Sequence, residues 1–213
     1  MIEYNSYNIT LKIKGSGTKN IFSNCFPSDS YPDEVYINGD KQNGTTTYSY
    51  KLNQADNIIV LIWYNLISSC KCMFYECSDI TDIDFSNFNT SYLYNMQAMF
   101  CYCSSLTSLN LSNFDTSKVE NMNLMFCGCS SLISLNLSSF DTSKVEYMNL
   151  MFFGCSSLIS LNLSNFDTSK VKYMNSIFLG CTNIQYINMF NFNEIVYAAV
   201  NIMIYLKMFQ IIK

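Results

Sequence analysis

Cysteine is the residue type with the greatest chemical potential in this sequence, and it recurs at regular intervals. Five of the 10 cysteines are spaced 26 residues apart, namely Cys77, Cys103, Cys129, Cys155 and Cys181. Others form pairs with one residue between them, namely Cys70 with Cys72, Cys101 with Cys103, and Cys127 with Cys129. Such pairs could bind a soft metal ion or form disulfides.

The substitutions within these pairs favour packing over chemistry. The outer cysteine becomes Phe153 and then Leu179 in later repeats, and a position that accepts these residues is a packing position. We therefore expect buried free thiols. Disulfides between neighbouring repeats, which would need an oxidising compartment, and a metal site are the alternatives.

Aspartates recur with the same period and could also do chemistry. They are Asp115, Asp141 and Asp167, with Asn89 and Asn193 at the equivalent positions on either side. Stacked carboxylates could bind calcium. A lysine follows each aspartate by three residues, at Lys118, Lys144 and Lys170, and balances its charge. We favour helix capping with local ion pairs over a calcium stripe.

The residue types that most enzymes and nucleic-acid-binding proteins use are missing. The 213 residues contain no histidine, which is the commonest general base and metal ligand. No GxGxxG, phosphate-binding-loop or GxSxG motif occurs. We therefore predict no catalytic residues, no cofactor, no metal ion and no enzyme activity. The 12 basic residues are all lysines and the net charge is −4, so we also expect no nucleic-acid partner.

The 26-residue period indicates the architecture. Residues 106–131 and 132–157 align without gaps and differ at only four positions. Each repeat opens with L-x-x-L-x-L-x-x-F, whose alternating part has strand periodicity. A corner of Asp, Thr and Ser follows, at Asp115-Thr116-Ser117 for example, where the Asp or Thr side chain can accept backbone N–H groups and start a helix. An apolar stripe at helical spacing then contains Val119, Met122, Met125 and Phe126.

These repeats predict an α/β solenoid, a leucine-rich-repeat-like right-handed coil. One parallel sheet is expected, with strands in register at residues 108–112, 134–138 and 160–164. Short helices are expected on the other side. A small N-terminal β cap should close one end.

Three regions follow from this interpretation. Residues 1–56 are predicted as the β cap, with alternating strand patterns at Tyr7–Lys14 and Thr46–Lys51 and a hairpin turn at Asn38-Gly39-Asp40. Residues 57–193 are predicted as the repeats, beginning with a degenerate strand at Asn57–Trp63. Residues 194–213 are predicted as a degenerate C-terminal repeat or cap. No secretion signal and no membrane span are expected, since no apolar run reaches roughly 18 residues.

The repeat phrases carry a family resemblance. The segment SNFDTSKVENMNLMFCGCSSLISLNLSSFDTSKVEYMNLMF resembles the BspA-like leucine-rich-repeat surface protein family, as do the residues from about 70 to 193. The segment ITLKIKGSGTKNIF is similar to the leader of such repeats. Members of that family are surface or secreted proteins, some of which adhere to host proteins. The resemblance implies a cell-surface or secreted location and a protein or glycan ligand, including host extracellular matrix.

The outward side of the predicted strands is the candidate ligand face. It contains Asp82, Asp84, Ser108, Asn110, Ser112, Ser134, Asn136, Ser138, Ser160, Asn162, Ser164 and Tyr186. A solvated polar ladder without a ligand is the alternative interpretation. We predict a non-enzymatic surface or secreted protein that mediates adhesion or protein binding. The alternative is a cytoplasmic scaffold for protein–protein interactions.

Overall fold

The computed structural model describes residues 6–193, whose regular elements are short strands and a single 3₁₀ turn, Ser28–Ser30. The strands are β1 (Tyr7–Lys14), β2 (Gly17–Asn20), β3 (Glu34–Ile37), β4 (Asp40–Lys41), β5 (Ser49–Leu52), β6 (Asp56–Trp63), β7 (Ile80–Asp84), β8 (Ser160–Asn162) and β9 (Tyr186–Asn188). The order β4-β3-β6-β1-β7 forms an antiparallel sheet, β2 pairs with β5, and β8 pairs with β9. The C-terminal cap predicted at 194–213 lies outside the described residues.

The N-terminal region forms strands where the alternation predicts them. In β1, Ile9, Leu11 and Ile13 are buried on one face of the sheet. The predicted hairpin is confirmed between β3 and β4, where Asn38 and Gly39 both have positive φ values, 53° and 92°. Two residues with positive φ match the twist of the flanking strands in a two-residue hairpin.

The strand predicted at Asn57–Trp63 is present as β6, but its place in the sheet differs from the expectation. It does not lie parallel beside the first repeat, because β1 is inserted between β6 and β7 and runs antiparallel to both. Leu11, for example, is opposite Ile59 on one side and Ile83 on the other. The N-terminal sheet therefore continues directly into the first repeat.

The predicted α/β solenoid, a right-handed coil, is wrong, because the described residues form short and mostly antiparallel strands and the segments expected to be helices are turns. Residues 6–193 contain no α-helix, and none of them lies in a helix that could cross a membrane. The N–H groups of Met122 and Leu124 donate at 2.9 Å to the carbonyls of Tyr147 and Asn149 in the next repeat. In a helix these groups would instead donate to carbonyls four residues earlier.

Two left-handed residues in every repeat explain why the apolar stripe does not coil. Leu124 has a φ of 60° and Gly128 a φ of 70°, which a right-handed helix excludes. The equivalent positions also have positive φ, at Cys72, Ala98, Leu150 and Ser176 and at Glu76, Tyr102, Gly154 and Gly180. The three-residue methionine spacing, which is typical of a helix, belongs instead to a tight turn. In this turn the Met125 N–H donates to the Met122 carbonyl at 3.3 Å.

The single parallel sheet that we expected is also wrong. The largest sheet is antiparallel, and parallel pairing within residues 6–193 is limited to β8 with β9 and to isolated bridges. Residues 108–112 and 134–138 form no strand. The side-chain oxygens of Asn110 and Asn136 form turns there and accept the N–H groups of Ser112 and Ser138 at 3.1 and 3.0 Å.

Neighbouring repeats are nevertheless stacked in register, so residues 26 positions apart are neighbours in the core. The rings of Phe100, Phe126 and Phe152 are 5.6 Å apart in succession and within 8° of parallel. A second column, with 6.5 Å between centroids, contains Phe114, Phe140 and Phe166. One apolar core runs from the N-terminal sheet through these columns.

The inward and outward positions of the repeat lead to a first prediction. Leu135 is buried and Ser138 is exposed. Leu135→Ala should lower the free energy of unfolding by about 2–5 kcal/mol through the lost burial and the cavity left behind. Ser138→Ala should change it by no more than about 0.5 kcal/mol. Urea titration of both variants measures the difference, and equal midpoint shifts would contradict the placement.

Candidate binding face

The residues predicted as a ligand face all have solvent-accessible side chains. Asp82 and Ser164 are half-buried, and the other ten are exposed. Between them the side chains of Leu109, Leu135 and Leu161 are buried in the core. The L-x-L pattern thus fixes which side chains face outward, even where no regular strand forms.

Serine side chains lie beside one another on this face because successive repeats pair in parallel. Ser134 forms a parallel bridge with Ser160, and Ser160 is opposite Tyr186 in the β8–β9 pair. Paired strands are about 4.8 Å apart, so the hydroxyl groups repeat at that interval. The structure therefore brings together Ser134 and Ser160, which the sequence placed in one column.

Each asparagine of the face uses its side-chain oxygen in a hydrogen bond and leaves its side-chain NH2 group available. The Oδ1 atoms of Asn110, Asn136 and Asn162 accept the N–H of the serine two residues later, at 3.0–3.1 Å. Their Nδ2 groups have no partner within residues 6–193. The face therefore presents a row of hydrogen-bond donors held in place by their own turns.

The two aspartates of the face lie at its N-terminal end, in a different environment. Asp82 is on β7 and forms an ion pair with Lys12 of β1 at 2.6 Å. Asp84 accepts the Ser86 N–H at 2.9 Å, and this hydrogen bond holds the pKa of the Asp84 carboxyl below its usual range. These aspartates belong to the antiparallel sheet, while the rest of the face is uncharged.

Sequence analysis placed Tyr186 on this surface but missed its isoleucines. Ile133 and Ile159 are 49% and 44% exposed, and Tyr186 and Phe190 are 61% and 85% exposed. The Ile159 N–H donates to the Ile133 carbonyl at 3.2 Å, so these two residues are neighbours. We call Ile133, Ile159, Tyr186 and Phe190 the apolar patch.

The sequence contains a signal for the isoleucines of this patch. Leu132 and Leu135 are both buried although they are three residues apart, so two consecutive residues between them must face outward. Those residues are Ile133 and Ser134. Strict alternation assigns only one of them to the surface, which is why the isoleucines were missed.

The aspartate column caps turns instead of helices. Asp115 Oδ1 accepts the Ser117 hydroxyl at 2.7 Å and its N–H at 3.0 Å, and these bonds lower the pKa of Asp115. The expected ion pairs with the lysines three residues later are absent among the ion pairs of residues 6–193. Lys118 instead places Nζ 4.5 Å from the ring centroid of Tyr92 in the preceding repeat. The ion pairs were expected because a helix brings side chains three residues apart close together. No helix forms here, so the aspartate and the lysine are not held at that spacing.

Tyrosines form a separate surface on the turn side of the repeats. The rings of Tyr147 and Tyr173 stack with centroids 5.6 Å apart. Beside them Lys172 and Glu146 form an ion pair at 2.7 Å. These residues therefore contact one another across neighbouring repeats.

The cysteines all have free thiols, and most are buried. The 26-residue cysteine column lies in the core, where Cys103 Sγ donates to the Phe74 carbonyl at 3.1 Å and Cys129 Sγ to the Phe100 carbonyl at 3.0 Å. Burial raises the pKa of Cys129 to about 12, so this thiol is protonated at neutral pH. Within residues 6–193 no group of three or more Cys, Asp or Glu side chains is arranged to hold a metal ion.

Comparison with known proteins places the repeats in a family. The family described as "Mycoplasma protein of unknown function, DUF285" matches residues 68–192. A crystal structure of a T. pallidum leucine rich repeat protein is similar, with 15% identity over 63% of this chain and 76% of that chain and a TM-score of 0.36. No curated protein matches the chain.

Proposed function

The chain belongs to the family described as "Mycoplasma protein of unknown function, DUF285", and we propose that it is a non-enzymatic repeat protein that binds other proteins through its outward face. The binding surface comprises the serine and asparagine columns together with the apolar patch. On this proposal the N-terminal sheet and the core hold the face rigid, and no chemical step takes place.

The observation that supports this proposal is the exposure of large apolar side chains beside free donors. Protein interfaces are anchored by a few aromatic and aliphatic side chains that are surrounded by polar groups. Tyr186 and Phe190 are the aromatic candidates, and the Nδ2 groups of Asn136 and Asn162 lie on the same face. Because this end of the face is uncharged, we propose that apolar contact and hydrogen bonds supply the affinity, with little dependence on salt.

The test is a binding measurement with a double variant. Immobilised extracellular-matrix proteins serve as probes in surface plasmon resonance, in line with the adhesion implied by the BspA-like resemblance. Tyr186→Ser combined with Phe190→Ser should weaken binding by about tenfold or more, the loss expected when interface anchors are removed. Raising the salt concentration should change the affinity little.

The control substitution lies on the tyrosine surface. Tyr173→Ser removes an exposed ring of the same type on the turn side and should leave the affinity unchanged. If Tyr173→Ser weakened binding as much as the double variant, the proposed face would be wrong. If none of the matrix proteins bound, the adhesion role would be wrong.

We propose a cell-surface location, and an intracellular scaffold is the second candidate. The free thiols favour the second, because cysteines stay reduced in the cytosol. Labelling intact cells with a membrane-impermeant amine reagent separates the two candidates. Labelled protein recovered from unbroken cells supports the surface location, whereas label that appears only after lysis supports the scaffold.

A further inference from the structure

Two thiols outside the main core face each other across neighbouring repeats. Cys101 and Cys127 form a small buried cluster with Ala98, separate from the main core. The two thiols are hydrogen bonded to each other. The Tyr102 N–H donates to the Cys127 carbonyl at 2.7 Å, so the two chain segments are in direct contact. We call Cys101 and Cys127 the outer thiol pair.

The backbone spacing at this pair suits a disulfide. Segments that are hydrogen bonded side by side have Cα atoms about 4.8 Å apart. Disulfides join residues whose Cα atoms are roughly 4.4–6.8 Å apart. The pair is also confined to two repeats, because the equivalent positions are Tyr75, Phe153 and Leu179. Each thiol of the pair therefore has a single possible partner in its own column.

The inner cysteine column has the same backbone spacing but a different thiol arrangement. Cys103, Cys129, Cys155 and Cys181 each donate to a phenylalanine carbonyl at 3.0–3.1 Å. These hydrogen bonds point each sulfur at the backbone of the preceding repeat and not at the next thiol. The side chains are also buried in the main core.

We propose that the outer thiol pair is a site of reversible oxidation, at which Cys101 and Cys127 form a disulfide that links two neighbouring repeats. The oxidant is a small-molecule disulfide or the disulfide of an oxidoreductase. This inference is independent of the proposed binding function.

The local hydrogen bonds assign different roles to the two cysteines. The bond from Cys101, helped by a weaker one from the Tyr102 hydroxyl, lowers the pKa of the Cys127 thiol against the raising effect of burial. The hydrogen bond to Cys127, together with burial, raises the pKa of Cys101. Because the thiolate is the nucleophile in disulfide exchange, Cys127 reacts first.

The reaction proceeds in two exchange steps. The Cys127 thiolate attacks one sulfur of the oxidant and forms a mixed disulfide, and one thiolate leaves. Cys101 then loses its proton and attacks Cys127 Sγ, which releases the second thiolate of the oxidant. In total the pair loses two protons and two electrons, and the S–S bond of the oxidant takes up the electrons.

On this proposal Tyr102 controls access to the pair. Its ring lies on Gly128, the residue after Cys127, so closely that a Cβ atom at position 128 would be 2.3 Å from Tyr102 Cδ1. Tyr102 is 45% exposed, whereas Cys127 is buried. Movement of this exposed side chain is the step that would admit the oxidant to the Cys127 sulfur.

The experiment uses the full chain with Cys25→Ser, which removes the exposed thiol. The reduced protein is incubated with oxidised glutathione, the remaining thiols are alkylated after unfolding, and the peptides are mapped by mass spectrometry. The expected result is one linked pair of peptides, Cys101 with Cys127. We also expect a rise in melting temperature of about 5 °C or more, reversed by a reducing agent. Linkage of Cys103 to Cys129, or no linkage, would overturn the proposal.

Two variants keep the result interpretable. Cys127→Phe introduces the residue found at the equivalent position 153, so it should fold and form no linked pair with Cys101. Tyr102→Phe keeps the ring but removes the hydroxyl that stabilises the thiolate, so the pair should close more slowly than in the parent protein. The assigned roles would be wrong if Cys101 were still protected from alkylation in Cys127→Phe. They would also be wrong if Tyr102→Phe left the rate of disulfide formation unchanged.

Discussion

Phe126→Ala is expected to lower the free energy of unfolding by about 3–5 kcal/mol. The side chain is fully buried, and its ring stacks between Phe100 and Phe152 at 5.6 Å from each. Truncation removes contacts on both faces of the ring and leaves a cavity in the middle of the column. Backbone hydrogen bonds to the next repeat hold the segment in place, so the cavity cannot collapse. Urea unfolding followed by circular dichroism measures the loss.

Two further substitutions show whether the loss comes from stacking in the core. Phe126→Leu fills most of the cavity and should cost clearly less than Phe126→Ala. Ile133→Ala removes an exposed side chain and should change the free energy of unfolding by no more than about 0.5 kcal/mol. Similar midpoint shifts for Phe126→Ala and Ile133→Ala would show that the column is not the source of stability.

The stacking of these rings could be predicted from the sequence because the repeat is nearly exact. When residues 26 positions apart are the same, every repeat can give its neighbour the same contacts, and identical side chains fall into columns. The buried positions of Leu135 and Phe126 followed from that argument. So did the exposure of the serines and asparagines.

The helix was predicted wrongly because two conformations satisfy the same spacing. A helix and a series of tight turns both bring residues three apart, such as Met122 and Met125, to the same side of the chain. Positive φ values distinguish the turns from a helix, and a glycine such as Gly128 indicates such a value in the sequence. At Leu124 and Leu150 the left-handed residue is a leucine, which carries no such sign. Hydrogen bonds to the next repeat hold those residues in place.

The direction of the N-terminal sheet could not be predicted because alternation does not identify a partner. The alternating pattern of β1 fixes which side is buried, but both of its edges can pair with another strand. In the structure the two edges bind β6 and β7. The isoleucines of the apolar patch were missed for a related reason, since the two consecutive exposed residues Ile133 and Ser134 break the alternation.

The threonine of the Asp-Thr-Ser corner was predicted to start a helix, but in the structure it has another role. Thr116 was expected to accept a backbone N–H group of its own repeat. It is buried, and its hydroxyl instead accepts the Asp141 N–H at 2.8 Å and donates to the Asp141 carbonyl at 2.9 Å. Thr142 likewise donates to the Asp167 carbonyl at 3.0 Å. These hydroxyls join neighbouring repeats at a corner where no strand pairing joins them.

Thr116→Val is therefore expected to destabilise the protein although it hardly changes the volume of the side chain. The methyl group that replaces the hydroxyl leaves the N–H and the carbonyl of Asp141 without their partner in a partly buried site. An unpaired buried polar group costs about 1–3 kcal/mol, and two such groups place the expected loss at the upper end of that range. Thr116→Ser keeps the hydroxyl and should retain most of the stability, while Ser112→Ala on the exposed face should have almost no effect. In urea titrations, a loss for Thr116→Ser as large as that for Thr116→Val would show that the methyl group, and not the hydroxyl, is what the stack requires.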